Sequence, residues 1–154
     1  MFSIVREHLS LERMLPMLEL LDVQVNLVTI IALYLAFRAK QFLCDYPLQT
    51  TWMALGKGKA TQWFSPLVVH AGIHGAATAL ICAIANPAFI WLGAVDMVIH
   101  FTVDRIKACP SIGGRFNPSQ PYFWWALGAD QEAHNLTHFA FIVILLLAGT
   151  GSVS

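Results

Sequence analysis

Four stretches of this chain, at residues 23–43, 65–85, 87–107 and 127–148, are each long and apolar enough to cross a bilayer. A helix spanning the hydrocarbon needs about 20 mainly apolar residues. In that solvent every backbone N–H and C=O must be satisfied, and a continuous apolar run does so within itself only as a helix. The pattern therefore predicts an all-α fold, a four-helix transmembrane bundle. Composition agrees: of 154 residues, 57% are hydrophobic and 12% charged, where soluble domains carry about 25% charged residues. Chain punctuation falls between the stretches. Pro47 stops the first, and Ser65 and Pro66 make an N-cap and first-turn proline for the second. Asn86-Pro87 marks a tight turn, the Gly- and Pro-containing segment 108–121 reads as a loop, and the aromatic group at 122–125 suits a membrane interface.

The first 22 residues differ. Glu7, Glu12, Glu19 and Asp22 interleave with Arg6 and Arg13, while Phe2, Val5, Leu9, Leu11, Leu15 and Leu18 recur near helical spacing. This predicts an amphipathic segment at 1–22, lying at the membrane surface or serving as a partner-binding arm, ahead of a membrane domain at 23–150. It lacks the basic start and short apolar core of a cleaved signal. A net charge of zero with no basic run offers nothing to nucleic acid. Cys44, Cys82 and Cys109 form no CxxC pair and read as free thiols. Seven basic residues (Arg38, Lys40, Lys57, Lys59, Arg105, Lys107, Arg115) flank the two longer connections, against Arg6 and Arg13 on the other side. Lys and Arg favour the cytoplasmic side, so both connections are expected there and both termini on the opposite face.

Against this apolar background stand pairs of polar side chains four residues apart: Gln41/Asp45, His70/His74, His100/Asp104 and Asp130/His134, the last continued by His138. That spacing stacks two side chains on one helix face. Ionisable groups within membrane spans are costly and face a cavity or a site. Up-down-up-down connectivity brings all four pairs to a similar depth near the cytoplasmic ends of their helices. Imidazole and carboxylate suit zinc, iron or manganese, and the lack of grouped cysteines argues against a thiolate site. The expected ligands are His70, His74, His100, Asp104, Asp130, His134 and His138, around one or two divalent transition-metal ions, zinc first. Asp45, beside the mouth, is the candidate general base or second-metal ligand. Asp96, one turn below His100, is either a deeper ligand or a proton relay. Glu132 and His8 read as solvated, Gln49 as a turn residue or one reaching into the mouth, and Gly72, Gly75, Ala76 and Ala79 as a close-packing helix face.

The stretch Phe42-Leu43-Cys44-Asp45-Tyr46-Pro47-Leu48-Gln49-Thr50-Thr51-Trp52-Met53 resembles the "LLGDFxLQTxxM" signature of the DUF3307 family, small bacterial and phage membrane proteins of unknown function. Three later motifs are similar too: His70-Ala71-Gly72-Ile73-His74, Ile99-His100-Phe101-Thr102-Val103-Asp104 and Asp130-Gln131-Glu132-Ala133-His134. The resemblance covers about residues 30–148 and implies the bacterial inner (cytoplasmic) membrane. The family usually has His where Gln41 stands and Gly where Cys44 stands. It is loosely similar to membrane-bound metal-dependent hydrolases, which implies hydrolysis of an amphipathic, lipid-linked or phospholipid substrate at the cytoplasmic leaflet. Two other readings remain beside it. One is a non-catalytic intramembrane binder or conductor of metal ions or protons. The other is a structural protein touching the lipid bilayer and docking on other membrane subunits or on itself. No GxSxG, HExxH or P-loop pattern appears.

Overall fold

A computed structural model describes residues 24–150, and the predicted amphipathic segment lies outside the described residues. The architecture is all-α: α1 (Leu27–Asp45), α2 (Thr51–Gly56), α3 (Phe64–Ala85), α4 (Leu92–Ala108) and α5 (Pro121–Thr150), with 3₁₀ turns at Pro87–Phe89 and Gly113–Arg115. Four segments are long and apolar enough to cross a membrane: Leu27–Asp45, Phe64–Ala85, Pro87–Arg115 and Pro121–Gly149. From 28 to 39% of each span is buried inside the bundle. The remaining surface is apolar, with residues such as Leu27, Val28, Leu80, Ile84, Val98 and Leu136 turned outward. So many outward apolar side chains fit contact with a lipid bilayer.

Helix ends follow local chemistry and shift several expected boundaries. The first helix begins at Leu27, not near residue 23, because the Asn26 side chain accepts from the backbone N–H of Val28 (2.8 Å) and Thr29 (3.3 Å). Ser65 does not cap α3. That helix starts one residue earlier, behind Trp63, with no side-chain cap, so Ser65 and Pro66 both lie in its first turn. Asn86 makes the expected turn by accepting from Ala88 N–H at 3.2 Å. The short α2 was not expected. Its signal was Thr50, whose hydroxyl caps the helix by accepting from Met53 N–H at 3.3 Å.

Glycines allow two close approaches between helices. At the α3/α4 crossing, a Cβ on Gly75 would lie 2.6 Å from Gly93 O, and one on Gly93 would lie 2.7 Å from Ala79 Cβ. Of the small-residue face expected on α3, Gly75 and Ala79 therefore meet α4, whereas nothing stands within 4 Å of a Cβ at Gly72. At the end of α2, a Cβ on Gly56 would lie 2.5 Å from Pro66 Cγ. This contact folds α2 over the first turn of α3. The bundle then divides into two halves. Leu33, Phe37, Cys82, Leu92, Phe141, Ile142 and Leu145 form an apolar core toward the ends of the spans where α1 begins and α3 finishes. The other half is filled with polar side chains.

Candidate metal centre

The close α3/α4 crossing explains how imidazoles come together. His74 adjoins Gly75, and His100 lies one turn along α4 from Met97, whose Cβ would meet a side chain at Gly75. With the backbones so near, His74 and His100 stack at 3.5 Å between ring centroids, and His134 from α5 stacks on His100 at 4.0 Å. His70, one turn above His74, meets His100 edge-on. All four imidazoles are buried.

Asp45, at the last turn of α1, closes this group. Its Oδ1 lies 3.5 Å from His70 Nε2 and 3.3 Å from His74 Nε2, and His70 Nε2 is 3.3 Å from His100 Nε2. One ligand atom from each of Asp45, His70, His74 and His100 falls within 4.8 Å of all the others. Ligands bound at about 2.05 Å around a tetrahedral ion stand about 3.3 Å apart. The three distances quoted match that spacing. Gln41 occupies the other oxygen: its Nε2 donates to Asp45 Oδ2 at 2.8 Å. This hydrogen bond leaves Oδ1 as the atom aimed at the histidines. Gln49 donates to the Asp45 backbone carbonyl at 2.7 Å, so it holds the helix end. Among the described residues, the Nδ1 atoms of His70, His74 and His100 have no hydrogen-bond partner. Ring orientation is therefore set by stacking in place of the usual carboxylate or carbonyl acceptor.

A second group, His100, Asp104 and His134, shares His100 with the first. Asp104 lies between them: Oδ2 is 3.3 Å from His70 Nε2, and Oδ1 is 3.9 Å from His134 Nε2. It is also held by two lysines. Lys57 Nζ donates to Oδ2 at 2.5 Å, delivered there by the packing of α2 on Pro66, and Lys107 Nζ lies 3.7 Å from Oδ1. Asp130 pairs with Lys107 at 2.8 Å and approaches His134 Nε2 at 3.6 Å. Asp45 is thus the carboxylate of the site that carries no lysine within ion-pair distance among the described residues.

Asp96 and His138 stand apart as a deeper cluster. Lys40 Nζ donates to Asp96 Oδ2 at 2.6 Å, as does Thr78 Oγ1 at 2.7 Å. His138 Nε2 meets Lys40 Nζ at 3.0 Å and Asp96 Oδ1 at 3.7 Å, while its Nδ1 faces Arg38 Nη2 at 3.2 Å. Arg38 also donates to Asn135. Glu132 is exposed and accepts from Asn135 at 3.2 Å. Sequence reasoning missed the cations. Lys40, Lys57 and Lys107 were counted as loop charge, yet they are the counter-ions of Asp96, Asp104 and Asp130. A signal did exist, since Arg38 and Lys40 lie within the first span, where a charge needs a partner.

The DUF3307 family model, described as "Protein of unknown function (DUF3307)", matches residues 30–153. The chain belongs to the DUF3307 family. The matched region contains all four helical pairs and both lysines of the Asp104 and Asp130 contacts. No curated protein and no solved structure matches the chain.

Proposed function

We propose that this DUF3307 protein is an intramembrane metalloenzyme that hydrolyses an amphipathic substrate at the cytoplasmic leaflet. The observation that carries the reading is the convergence of one ligand atom each from Asp45, His70, His74 and His100 within 4.8 Å, three of the separations being 3.3–3.5 Å. Three buried imidazoles and one half-buried carboxylate without a lysine suit zinc and fit a cation in their midst. Asp45 then serves as a ligand and not as the base. A divalent ion held there would supply Lewis acidity at the scissile bond, and Asp45, the least buried of the four, would be the ligand that gives way to substrate. His134 moves the proton: its Nε2 has no hydrogen-bond partner among the described residues and lies 3.6 and 3.9 Å from carboxylate oxygens of Asp130 and Asp104. Asp104, already neutralised by Lys57, orients His70 and His134 and takes no ion of its own.

The bacterial inner membrane with cytoplasmic connections remains the proposed setting. With Arg38, Lys40, Lys57 and Lys107 engaged inside, Lys59, Arg105 and Arg115 carry the orientation signal on that side. Lipid alone accounts for the outward apolar surface, so self-association or docking on other membrane subunits is not required. The test is the metal content of protein purified in mild detergent. One equivalent of transition metal is expected, lost in Asp45→Ala and His74→Ala, together with chelator-sensitive release of product from a lipid phosphoester. Wild-type protein that stays metal-free after dialysis against micromolar zinc, iron or manganese refutes the assignment.

A further inference from the structure

Beside the polar half of the bundle, α4, the Gly113–Arg115 turn and the start of α5 enclose a crevice. It consists of two adjoining cavities of about 370 and 550 Å³ that share Lys107, Gly113, Phe116 and Ala126. Volumes of about 300–1,000 Å³ are typical of small-molecule sites. The crevice exists because the turn is pressed onto the end of α4: a Cβ on Gly113 would lie 2.4 Å from Lys107 O, and one on Gly114 would lie 2.5 Å from Ala108 O. Its walls are apolar, including Val103, Ile106, Ile112 and Ala129. Its polar residues are Lys59, Arg115, Lys107 and Asp130.

These cations are not equivalent to those inside. Lys107 is consumed by Asp130 and Asp104. Lys59 and Arg115 are exposed, and neither has a carboxylate within ion-pair distance among the described residues; Arg115 rests over the Phe116 ring at 4.7 Å. The rim is therefore net positive and the wall apolar, the complement of a lipid with an anionic head. The two cations without a carboxylate partner match the two charges of a phosphate monoester dianion, so the charge complement is met at the rim itself.

We infer that the crevice binds a membrane lipid whose head is a phosphate monoester, with the head at the rim to which the two adjoining cavities contribute Lys59 and Arg115, and the tail along Val103, Ile112 and Ala129. Lys107 forms the floor, 3.7 Å from Asp104, which joins the head-group position to the metal cluster. This deepens the hydrolase reading by naming its substrate class, and it rests on that reading only for the chemistry, since binding needs no metal.

The test is lipid titration of the chelator-treated full-length protein in uncharged detergent, read by native mass spectrometry with dioleoyl phosphatidate and dioleoyl phosphatidylcholine. Phosphatidate should bind at least tenfold more tightly. Each exposed cation contributes about a fivefold factor, so Lys59→Gln/Arg115→Gln should weaken phosphatidate binding about 25-fold and leave phosphatidylcholine unchanged. Ala129→Trp should block both lipids by filling the wall. Equal affinity for the two lipids, or phosphatidate binding unaltered by the double substitution, overturns the inference. Phosphatidate selectivity in a protein that takes up no metal would uphold the crevice while removing the hydrolase reading. Metal uptake without selectivity would do the reverse.

Discussion

Replacing Lys40 by Met tests whether the deep ion pair holds α1 in the bundle. The side chains of Lys40 and Asp96 are 2% and 1% exposed, and their 2.6 Å contact links α1 to α4. Without the ammonium, Asp96 keeps the Thr78 hydroxyl at 2.7 Å and His138 Nε2 at 3.7 Å. One charge-assisted hydrogen bond is worth about 1.5–3 kcal/mol, less than is needed to sustain an isolated carboxylate in a low-dielectric interior. Breaking a buried pair from one side costs about 3–5 kcal/mol, and Lys40→Met should fall near the lower bound because Thr78 remains. Asp96→Asn should cost more: the ammonium is left facing His138 at 3.0 Å, with Arg38 on the other nitrogen of the same ring. Lys40→Met/Asp96→Asn removes both charges and keeps an acceptor for Thr78, so it should cost about 1 kcal/mol. The cycle therefore predicts a coupling of several kcal/mol. Reversible unfolding in mixed micelles, followed by circular dichroism, measures it. Single substitutions whose costs simply add in the double variant would refute the pairing. Both single variants should also lose metal, because Lys40 lies five positions before Asp45 on the same helix.

Lys57→Met frees Asp104 Oδ2 from its 2.5 Å lysine contact. Affinity for the single ion should rise, because the freed Asp104 Oδ2 stands 3.3 Å from His70 Nε2 and can compete as a ligand, and metal titration would measure it. Gly75→Val should destabilise the bundle by about 2 kcal/mol or more through its clash with Gly93 O, whereas Gly72→Ala, which meets nothing within 4 Å, should be neutral in the same unfolding assay. Cys109 is more accessible than the buried Cys44 and Cys82. A membrane-impermeant maleimide should therefore label Cys109 alone, and only after cell lysis; labelling of intact cells would reverse the proposed orientation.

The four helices were legible because continuous apolarity over a bilayer's thickness has one solution, and helical spacing put each polar pair on one face. What the spacing left open was which pairs meet. Gln41 and Asp45 share a face, yet only the structure has Gln41 taking Oδ2 and leaving Oδ1 for His70 and His74. His138 continues the Asp130/His134 stripe, but the stripe is one turn longer than the His100/Asp104/His134 group is deep, so its last member meets Lys40 and Asp96 instead. Lysine was the harder case. Its flexible stem allows a loop residue such as Lys57 to reach a buried carboxylate, and neither hydropathy nor spacing encodes that reach. The α2 helix that carries it is too short for periodicity to register, and only its Thr50 cap announces it.

The division of the bundle into a polar and an apolar half also weighs on conduction. Asp96 and Thr78 are the deepest members of the polar half, joined by a 2.7 Å hydrogen bond. From Thr78 to the end of α3 at Ala85 is about 10 Å of helix. Facing that length are Leu33, Phe37, Cys82, Phe141, Ile142 and Leu145. Beyond it, Gln24, Asn26 and Thr29 line a separate cavity of about 290 Å³ together with Leu33 and Leu145. A proton or ion leaving Asp96 would have to cross that layer without a side chain to carry it. Proteoliposomes loaded with a pH-sensitive dye should accordingly hold a proton gradient as well as protein-free ones, in wild type and in Asp96→Asn alike. A leak that disappears in Asp96→Asn would demand a pathway through the apolar layer and a different account of the whole polar half.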